Sequence, residues 1–336
     1  SHEKDNPILI DQYLSGTELE VDAICDGHDV LLPGIMEHVE RAGVHSGDSI
    51  AVYPAWNLTP SQTERIVEYS TRLALALRTK GLINIQYVIH QDEVYVIEVN
   101  PRSSRTVPYL SKVTGIPMID LATRVMLGEP LADMPYGTGL HPSSLYSAVK
   151  VPVFSFEKLS GLDTQLGPEM KSTGEVLGIA PTLREALYKG LVGAGYPLSR
   201  EGGVFFTVRD TDKKEAVGLA ERFLELGFHL YATAGTAQTL REHGLAATLV
   251  HKIGESEHDT VSLLESGKIS YLISTSAKGR IPTRNSVRVR RKAISLGIPC
   301  FTSLDTAAAL TDILHCSFDP ETVEPVDIVT LPQQIV

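Results

Sequence analysis

The 336-residue chain has few cysteines and no long apolar run. Its three cysteines, Cys25, Cys300 and Cys316, are widely spaced and odd in number, which excludes a disulfide framework and a CxxC metal site. No apolar stretch approaches the roughly 20 residues that cross a bilayer, and the first ten residues lack a signal-peptide pattern. We therefore expect reduced thiols, a cytoplasmic location and no membrane partner.

Acidic residues outnumber basic ones. The 41 aspartates and glutamates against 30 lysines and arginines give a formal net charge of -11, which argues against general nucleic-acid binding. The basic residues between positions 278 and 292 could form a nucleic-acid patch, but a solvated helix face with one or two phosphate contacts is the favoured interpretation. The sequence contains no P-loop motif GxxxxGK[ST] and no GxGxxG motif after a predicted strand. Neither type of phosphate-binding loop can therefore account for nucleotide binding.

The first part of the chain is rich in strand patterns. Residues 17–25 alternate apolar and polar side chains, an Asp-Gly pair supplies a tight turn, and residues 28–36 continue as a second strand. A further hairpin pairs residues 83–90 with residues 93–99. Because neither hairpin needs a crossover helix, we expect an α+β domain over residues 1–195.

A helix is predicted between the two hairpins. Thr59 is a suitable N-cap, Pro60 suits the first helical position, and Gln62 completes a capping box. Apolar residues then recur at helical spacing, and Gly81 is expected to stop the helix.

Strand and helix patterns alternate regularly in the second part of the chain. Helix patterns end at Gly227, Gly244, Gly267 and Gly297, where a C-cap glycine is expected. This alternation predicts a Rossmann-like α/β domain with a parallel sheet over residues 196–336. Its ligand site should lie at the carboxyl ends of the strands.

The second hairpin carries a cluster of oxygen-bearing side chains. In a hairpin that turns near residues 91–93, Gln86 faces Glu98, and Asn100 projects to the same side as Glu98. One carboxylate and two amides suit Mg²⁺, and Arg102 beside them suits phosphoryl oxygens. A solvated edge hairpin with incidental polar residues is the alternative.

Four long runs resemble one protein family. They are residues Glu18–Gly27, Gly34–Ser49, Ile97–Arg102 and Leu166–Val176, and they resemble the large chain of carbamoyl-phosphate synthetase. The likeness is to the second ATP-grasp half of that chain and to the methylglyoxal-synthase-like module that follows it. The resemblance implies an ATP-grasp portion followed by a small Rossmann-like allosteric domain.

The resemblance also implies chemistry: ATP phosphorylates carbamate to carbamoyl phosphate, with Mg²⁺ or Mn²⁺, in pyrimidine or arginine biosynthesis. The implied partners are the remainder of the large chain and a glutaminase small subunit. The implied metal ligands are Gln86, Glu98 and Asn100. The implied nucleotide-binding residues are Glu18, His45, Ser46, Gln86 and Glu98, and the implied catalytic residues are Arg102 and Arg105.

A phosphate site is predicted in the second domain. Residues 233–236 and 274–276 follow two strands, and Lys252 follows a third, so they should converge at one sheet edge. The resemblance makes this an effector site for UMP and possibly IMP. Its predicted residues are Lys213, Thr233, Thr236, Lys252, Ser274, Thr275 and Ser276, and Arg280 is the best further phosphate candidate.

The resemblance is incomplete in two places. Ornithine binds between the two domains in some relatives; Glu40 and Asp48 match that site, but Val151 and Cys300 do not, so weak ornithine binding is expected. The glycine-rich loop and nucleotide-binding lysine of a complete ATP-grasp unit have no counterpart, so this chain alone is expected to have little phosphoryl-transfer activity.

Three other functions are considered. The chain could be an effector-binding regulatory module without chemistry of its own. Its second domain could be a methylglyoxal synthase, but that reaction needs a carboxylate base, and residues 233–236 and 274–276 contain none. Another ATP-grasp carboxylate ligase would explain the first domain but not the second.

Overall fold

The computed structural model describes residues 10–156, 158, 163–275, 285–316, 318 and 323–331. The strands of the first sheet are β1 (Thr17–Cys25), β2 (Val30–Leu32), β3 (Ile35–Arg41), β4 (Ala51–Tyr53), β5 (Gly81–His90), β6 (Glu93–Asn100), β7 (Gly139–Leu140), β8 (Ser147–Val153) and β9 (Gly174–Ala180). Its helices are α1 (Pro60–Ala76), α2 (Thr106–Thr114), α3 (Met118–Met126) and α4 (Leu183–Gly193).

The first sheet is antiparallel along its main path. That path runs β6-β5-β1-β3-β4-β8-β9, and the short β2 pairs with β1 and, in parallel, with β7. Helix α1 packs on one face, where apolar side chains of β1 and β5 form a core with Ile66 and Ala74. Helices α2 and α3 cover only one end of the opposite face. The rest of that face is left for polar side chains.

The hairpin of β5 and β6 has the predicted register. Gln86 pairs with Glu98, and the turn residues Gln91 and Asp92 both have positive φ, of 51° and 65°. Beyond this pair the register shifts between Gln86 and Tyr87, so the strands contain an irregularity near the middle. The expected pairing of Gln86 with Glu98 is confirmed.

The predicted strand over residues 28–36 is wrong as a single element. The chain forms β2 and then β3, separated by Pro33 and Gly34. The ring of Tyr53 lies so close to Gly34 that an added Cβ would be 2.1 Å from it. Glycine is therefore required where the chain bends past this ring, and the bend divides the strand.

Helix α1 begins as predicted but ends earlier than expected. Both hydrogen bonds of the capping box are present, between Thr59 and Gln62. The helix ends at Ala76 instead of running to Gly81, because Arg78 adopts a φ of 53° and closes a Schellman-type turn. Gly81, the predicted stop, is the first residue of β5.

The second sheet is parallel and has the order β12-β11-β10-β13-β14. Its strands are β10 (Gly203–Thr207), β11 (His229–Thr233), β12 (Ala247–Val250), β13 (Ile269–Ser274) and β14 (Cys300–Phe301). Its helices are α5 (Lys213–Glu225), α6 (Ala234–Glu242), α7 (Thr260–Glu265), α8 (Asn285–Ser295) and α9 (Leu304–His315). The predicted alternation is confirmed, and all four predicted cap glycines have positive φ. Among the described residues, no helix is both long and apolar enough to cross a membrane.

Polar contacts join the two sheets and their helices. Arg41 at the end of β3 bonds to Asp305 of α9 and to Glu215 of α5. Arg290 of α8 is fully buried and binds Asp163 through both oxygens, at 2.9 and 2.7 Å. The expected solvated helix face is therefore wrong at Arg290, because this guanidinium is an internal ion-pair partner.

Gly178 of β9 allows close packing of α4. A Cβ at this position would lie 2.1 Å from the carbonyl oxygen of Ala186 and 2.6 Å from the nitrogen of Gly190. We expect Gly178→Ala to lower the free energy of unfolding by about 1–3 kcal/mol, because α4 must shift. Urea unfolding followed by circular dichroism and by fluorescence of the single tryptophan, Trp56, measures this effect.

Gly218→Ala is the matched control. Gly218 lies on the exposed side of α5, and an added Cβ would meet nothing within 4 Å. This substitution should leave stability unchanged or raise it by roughly 0.5–1 kcal/mol. An unchanged unfolding midpoint in Gly178→Ala would contradict the packing argument.

Candidate functional site

Two rows of polar residues cross three neighbouring strands of the first sheet. The rows are Glu20, Gln86 and Glu98, and beside them Asp22, Asn84 and Asn100. Facing residues of an antiparallel pair project to the same side, so the six side chains share one face. Glu20 and Asp22 are buried, whereas Glu98 is exposed, so the rows run from the sheet interior to its edge.

The predicted cation ligands form the outer part of these rows. The Gln86 Nε2 atom donates to Ser46 Oγ at 3.1 Å, and Asn100 Nδ2 donates to Glu98 Oε1 at 2.8 Å. Both amide nitrogens thus donate hydrogen bonds to protein groups. The amide oxygens are the atoms that could bind a metal ion. One carboxylate and two amide oxygens fit Mg²⁺, which keeps several waters and binds through few carboxylates. The described residues contain no cluster of three His, Cys, Asp or Glu that could hold a metal.

All five residues predicted to bind nucleotide line one cavity of about 750 Å³. They are Glu18, His45, Ser46, Gln86 and Glu98. The lining also includes the apolar or aromatic side chains of Val88, Tyr95, Val96 and Ile97. Binding sites for small molecules combine an apolar wall with a few polar groups in this way. The cavity therefore has space for a base and sugar beside the oxygen donors.

The loop that carries His45 and Ser46 is held in place by several hydrogen bonds. His45 Nδ1 accepts from the N–H of Gly47 at 3.0 Å, and Lys150 Nζ donates to the carbonyl oxygen of Ser46 at 2.8 Å. The carboxylate of Asp48 accepts the N–H groups of Lys171 and Ser172. Sequence reasoning did not assign these roles to Lys150 and Asp48.

His38 connects two glutamates of β1 beneath the cavity. Its Nε2 atom lies 3.4 Å from Glu20 Oε2, and its Nδ1 atom lies 3.7 Å from Glu18 Oε1. Burial by itself raises the pKa of Glu20, but His38, together with the charge of Lys150 and a hydrogen bond from Asn84, lowers that pKa to about 2. The period-two pattern of His38 and Glu40 on β3 could have revealed this face from sequence.

The pKa of Asp22 is shifted in the opposite direction to that of Glu20. Burial and the neighbouring carboxylate of Glu20 raise the pKa of Asp22 to about 7, against the lowering effect of hydrogen bonds from Thr106, Ser104 and Asn84. Glu18 and Glu20 lie with Asp22 on the polar face of β1, and all three are buried.

The two predicted arginines follow β6 on one loop. Arg102 is exposed and donates to the carbonyl oxygen of Ser103 at 3.2 Å. Arg105 is half-buried, and its Nη1 atom contacts Met170 Sδ at 3.0 Å and Ser172 Oγ at 3.4 Å. Two guanidinium groups thus lie on the segment that directly follows the last oxygen donor, Asn100.

The carboxyl edge of the second sheet gathers part of the predicted effector set. Thr233 ends β11 and Ser274 ends β13, on either side of β10. The ammonium group of Lys213 lies over the start of α6, 2.8 Å from where a Cβ of Gly235 would be. A cation beside a helix N-terminus is a suitable anion site.

Two other predicted effector residues use their hydroxyl groups for contacts with the backbone that follows β10. Thr236 Oγ1 accepts from the N–H of Val208 at 3.4 Å, and Thr275 Oγ1 accepts from the N–H of Arg209 at 3.1 Å. Lys252 is exposed beyond β12, and its N–H donates to Glu255. Ser276 and Arg280 lie outside the described residues.

Carboxylates also reach this edge, from a turn that sequence reasoning overlooked. Asp210 and Asp212 lie in the turn between β10 and α5, and Asp210 Oδ1 is 2.7 Å from Lys213 Nζ. The hydrogen bond from Lys213 lowers the pKa of Asp210.

Comparison with protein families gives two matches. Residues 2–134 match the carbamoyl-phosphate synthase L chain, ATP binding domain, and residues 215–302 match the MGS-like domain. A carbamoyl phosphate synthase large chain from Agathobacter rectalis is 54% identical over 329 residues, which is 98% of this chain and 31% of that protein. The chain carries the ATP-binding domain of the carbamoyl-phosphate synthase large chain and an MGS-like domain.

The solved structures that match this chain are more distant. A biotin carboxylase domain of a single-chain bacterial carboxylase has a TM-score of 0.37 and 19% identity, over 44% of this chain and 34% of that one. A biotin carboxylase subunit of pyruvate carboxylase has a TM-score of 0.40 and 17% identity, over 51% of this chain and 43% of that one.

A second cavity, of about 170 Å³, lies between the synthase ATP-binding domain and the MGS-like domain. Its lining includes Glu40, Asp48 and Cys300, three of the four positions compared for ornithine, whereas Val151 is buried in β8. Glu40 accepts hydrogen bonds from Thr306 Oγ1 at 2.6 Å and from the N–H of Ile50 at 2.8 Å. Because protein donors engage both matching carboxylates, weak ornithine binding remains our prediction.

The raised pKa of Asp22 predicts a pH dependence of stability. A carboxyl group whose pKa is higher in the folded protein stabilises it most at low pH, and that contribution is lost as pH rises from about 4 to about 7. The other charged group that acts on Asp22 is Glu20, whose lowered pKa places its own titration well below this window.

The Asp22→Asn variant should therefore gain stability relative to the wild-type protein between pH 5 and 7. The measurement is urea unfolding at several pH values, with the difference between the two proteins plotted against pH. A constant difference across this range would contradict the assigned burial of the Asp22 carboxylate.

Proposed function

We propose that this chain provides the carbamate-phosphorylating half-site of a carbamoyl-phosphate synthase large chain, together with its regulatory domain. The observation that carries the proposal is the cluster of oxygen donors Gln86, Glu98 and Asn100 on one face of the hairpin, of which Gln86 and Glu98 line the cavity of about 750 Å³. Two arginines follow on the next segment. The chain spans about a third of the length of the relative it matches, so we propose that the remainder of a large chain completes the site.

The proposed reaction transfers one phosphoryl group. A carbamate oxygen forms a bond to the γ-phosphorus of ATP, the bond from that phosphorus to the β–γ bridging oxygen breaks, and ADP leaves with the bridging oxygen. Positioning and charge stabilisation account for most of the catalysis in such transfers. A bound Mg²⁺ or Mn²⁺ would neutralise phosphate charge and would be held by Gln86, Glu98 and Asn100.

The other residues of this half-site have binding and positioning roles in the proposal. Arg102 and Arg105 bind oxygens of carbamate and of the transferred phosphoryl group, because a guanidinium donates two parallel hydrogen bonds to such oxyanions. Glu18 binds the nucleoside, and the loop of His45 and Ser46 closes the cavity beside it. The buried Lys150 and Asp48 hold that loop rigid.

Ammonia for carbamate would come from a glutaminase small subunit in the proposed assembly, which would be cytoplasmic.

The carboxyl edge of the second sheet would bind a nucleotide monophosphate, UMP or IMP, as effector. Lys213 above the start of α6 supports this role. A chain that only senses this effector is the second candidate, favoured by the same edge.

Glu98→Gln tests the phosphoryl-transfer proposal in a complete large chain that contains this sequence. We expect the rate of ATP formation from ADP and carbamoyl phosphate to fall at least about tenfold, since even residues that only orient metal ligands typically contribute 10- to 100-fold. Glu93→Gln in the same hairpin is the control, because Glu93 is exposed and pairs with Arg65. Equal rates in both variants would refute the proposal.

The same assay on the 336-residue chain alone is expected to show little turnover. Substantial ATP formation by this chain would show that the described lobe is sufficient, and it would contradict the need for a covering lobe.

Lys213→Ala tests the effector proposal. We expect UMP, or IMP if UMP does not bind, to bind the variant about 10- to 100-fold more weakly, because a hydrogen bond to a charged group contributes about 1.5–3 kcal/mol. Titration calorimetry on the 336-residue chain measures this, and Lys214→Ala is the control, since Lys214 is exposed on the same helix. Unchanged affinity in Lys213→Ala would place the phosphate elsewhere.

A further inference from the structure

Asp22 is a buried carboxylate that has no role in the function proposed above. It lies in the inner row of the polar face, opposite Asn84, and only 1% of its surface is exposed. Its Oδ1 atom accepts from Asn84 Nδ2 at 3.0 Å. Its Oδ2 atom accepts from Ser104 Oγ at 2.8 Å and from Thr106 Oγ1. One carboxylate thus ties β5 and the segment after β6 to β1.

The two residues that supply these hydroxyl donors, Ser104 and Thr106, precede and follow Arg105 in the chain. We define residues 101–105 as the arginine loop, since it carries both Arg102 and Arg105. Ser104 Oγ also accepts the N–H of Thr106 at 3.1 Å and lies 2.7 Å from Thr106 Oγ1. Asp22, Ser104 and Thr106 therefore form a closed network at the end of the loop. At the other end, the N–H of Arg102 donates to the carbonyl oxygen of Asn100 at 2.8 Å.

Above pH 7, where Asp22 is ionised, its carboxylate suits this place better than an amide. Two acceptor oxygens can receive three donors from different segments, whereas an amide would turn an NH₂ group toward at least one of them. Burial of the charge disfavours the folded state, as the raised pKa of Asp22 indicates. Stability alone therefore does not account for an aspartate here.

We propose that Asp22 is a positioning residue that fixes the arginine loop beside the oxygen donors Gln86, Glu98 and Asn100. The inference rests on the proposed function, in which Arg102 and Arg105 bind the oxyanions of carbamate and the phosphoryl group. Asp22 itself touches no substrate; it acts through Ser104 and Thr106.

Hydrogen exchange in the 336-residue chain tests the structural part. In Asp22→Asn, we expect the amide hydrogens of residues 102–106 to exchange at least about tenfold faster, because an NH₂ group replaces one of the two acceptor oxygens that hold the network together. Ser103→Ala is the matched control in the same loop, since Ser103 Oγ makes only a 3.5 Å contact with the carbonyl oxygen of Ser104 among the described contacts. Equal protection in Asp22→Asn and the wild-type protein would overturn the proposal.

Kinetics in a complete large chain test the functional part. For ATP formation from ADP and carbamoyl phosphate, Asp22→Asn should raise the KM for carbamoyl phosphate about tenfold and leave the KM for Mg·ADP within about twofold. The reason is that Asp22 binds the arginine loop through Ser104 and Thr106, whereas its contact on β5 is Asn84 and not a proposed metal ligand. Unfolding measured alongside should show no loss of stability. Two results would make Asp22 a merely structural residue and overturn the proposal. One is an equal rise in both KM values, and the other is a loss of unfolding free energy equivalent to the rise in KM for carbamoyl phosphate, about 1.4 kcal/mol for tenfold.

Arg102→Ala distinguishes a failure of the positioning role of Asp22 from a failure of the proposed function. If Arg102→Ala raises the KM for carbamoyl phosphate and Asp22→Asn does not, the positioning role fails while the proposed function stands. If neither Arg102→Ala nor Asp22→Asn affects that KM, the assignment of the arginines fails as well, and the proposed function loses its anion site.

Discussion

The register between β1, β5 and β6 is the constraint on which the candidate site depends. It places Glu20, Gln86 and Glu98 in one row and sets Asp22, Asn84 and Asn100 beside them. Side chains alternate between the faces of a strand, so a slip of one residue would move every oxygen donor to the α1 side. The apolar residues between them, such as Val21 and Ile85, hold the register, because the same slip would expose them to water.

A face with so many buried charges is stable only because nearly every charge has a partner. His38 lies between Glu18 and Glu20, and Asn84 donates to both Glu20 and Asp22. Lys150 is also buried and donates to the Ser46 carbonyl oxygen. Removing one partner would leave a desolvated charge, which costs more than a surface ion pair contributes. The polar face is therefore a rigid unit rather than a set of independent side chains.

The segment of residues 163–173 links this unit to the second sheet. Asp163 binds the buried Arg290, whose Nη1 atom is 3.4 Å from Ser274 Oγ at the predicted effector edge. A few residues later, the carbonyl oxygen of Gly167 accepts the N–H of His45, and Lys171 donates to Asp48. One continuous segment thus contacts the ends of both predicted sites. Leu331, which follows the second sheet in the chain, is also buried against the first sheet. The core of the first part therefore includes a residue from beyond the second.

Local patterns in the sequence determined the elements and much of the outer site. Strand alternation, the capping box at Thr59 and the four cap glycines depend on neighbours in the chain, and the register of a hairpin follows from its turn, so Gln86 could be placed opposite Glu98. The end of α1 and the division between β2 and β3 could not be predicted, because a left-handed Arg78 and the ring of Tyr53 decided them. Only the tertiary structure decided that Asp22, His38 and Lys150 are buried partners of the site, since their contacts join strands far apart in sequence. Whether a charged side chain is solvated or paired depends on what packs over it, and a single sequence does not contain that information in any local pattern.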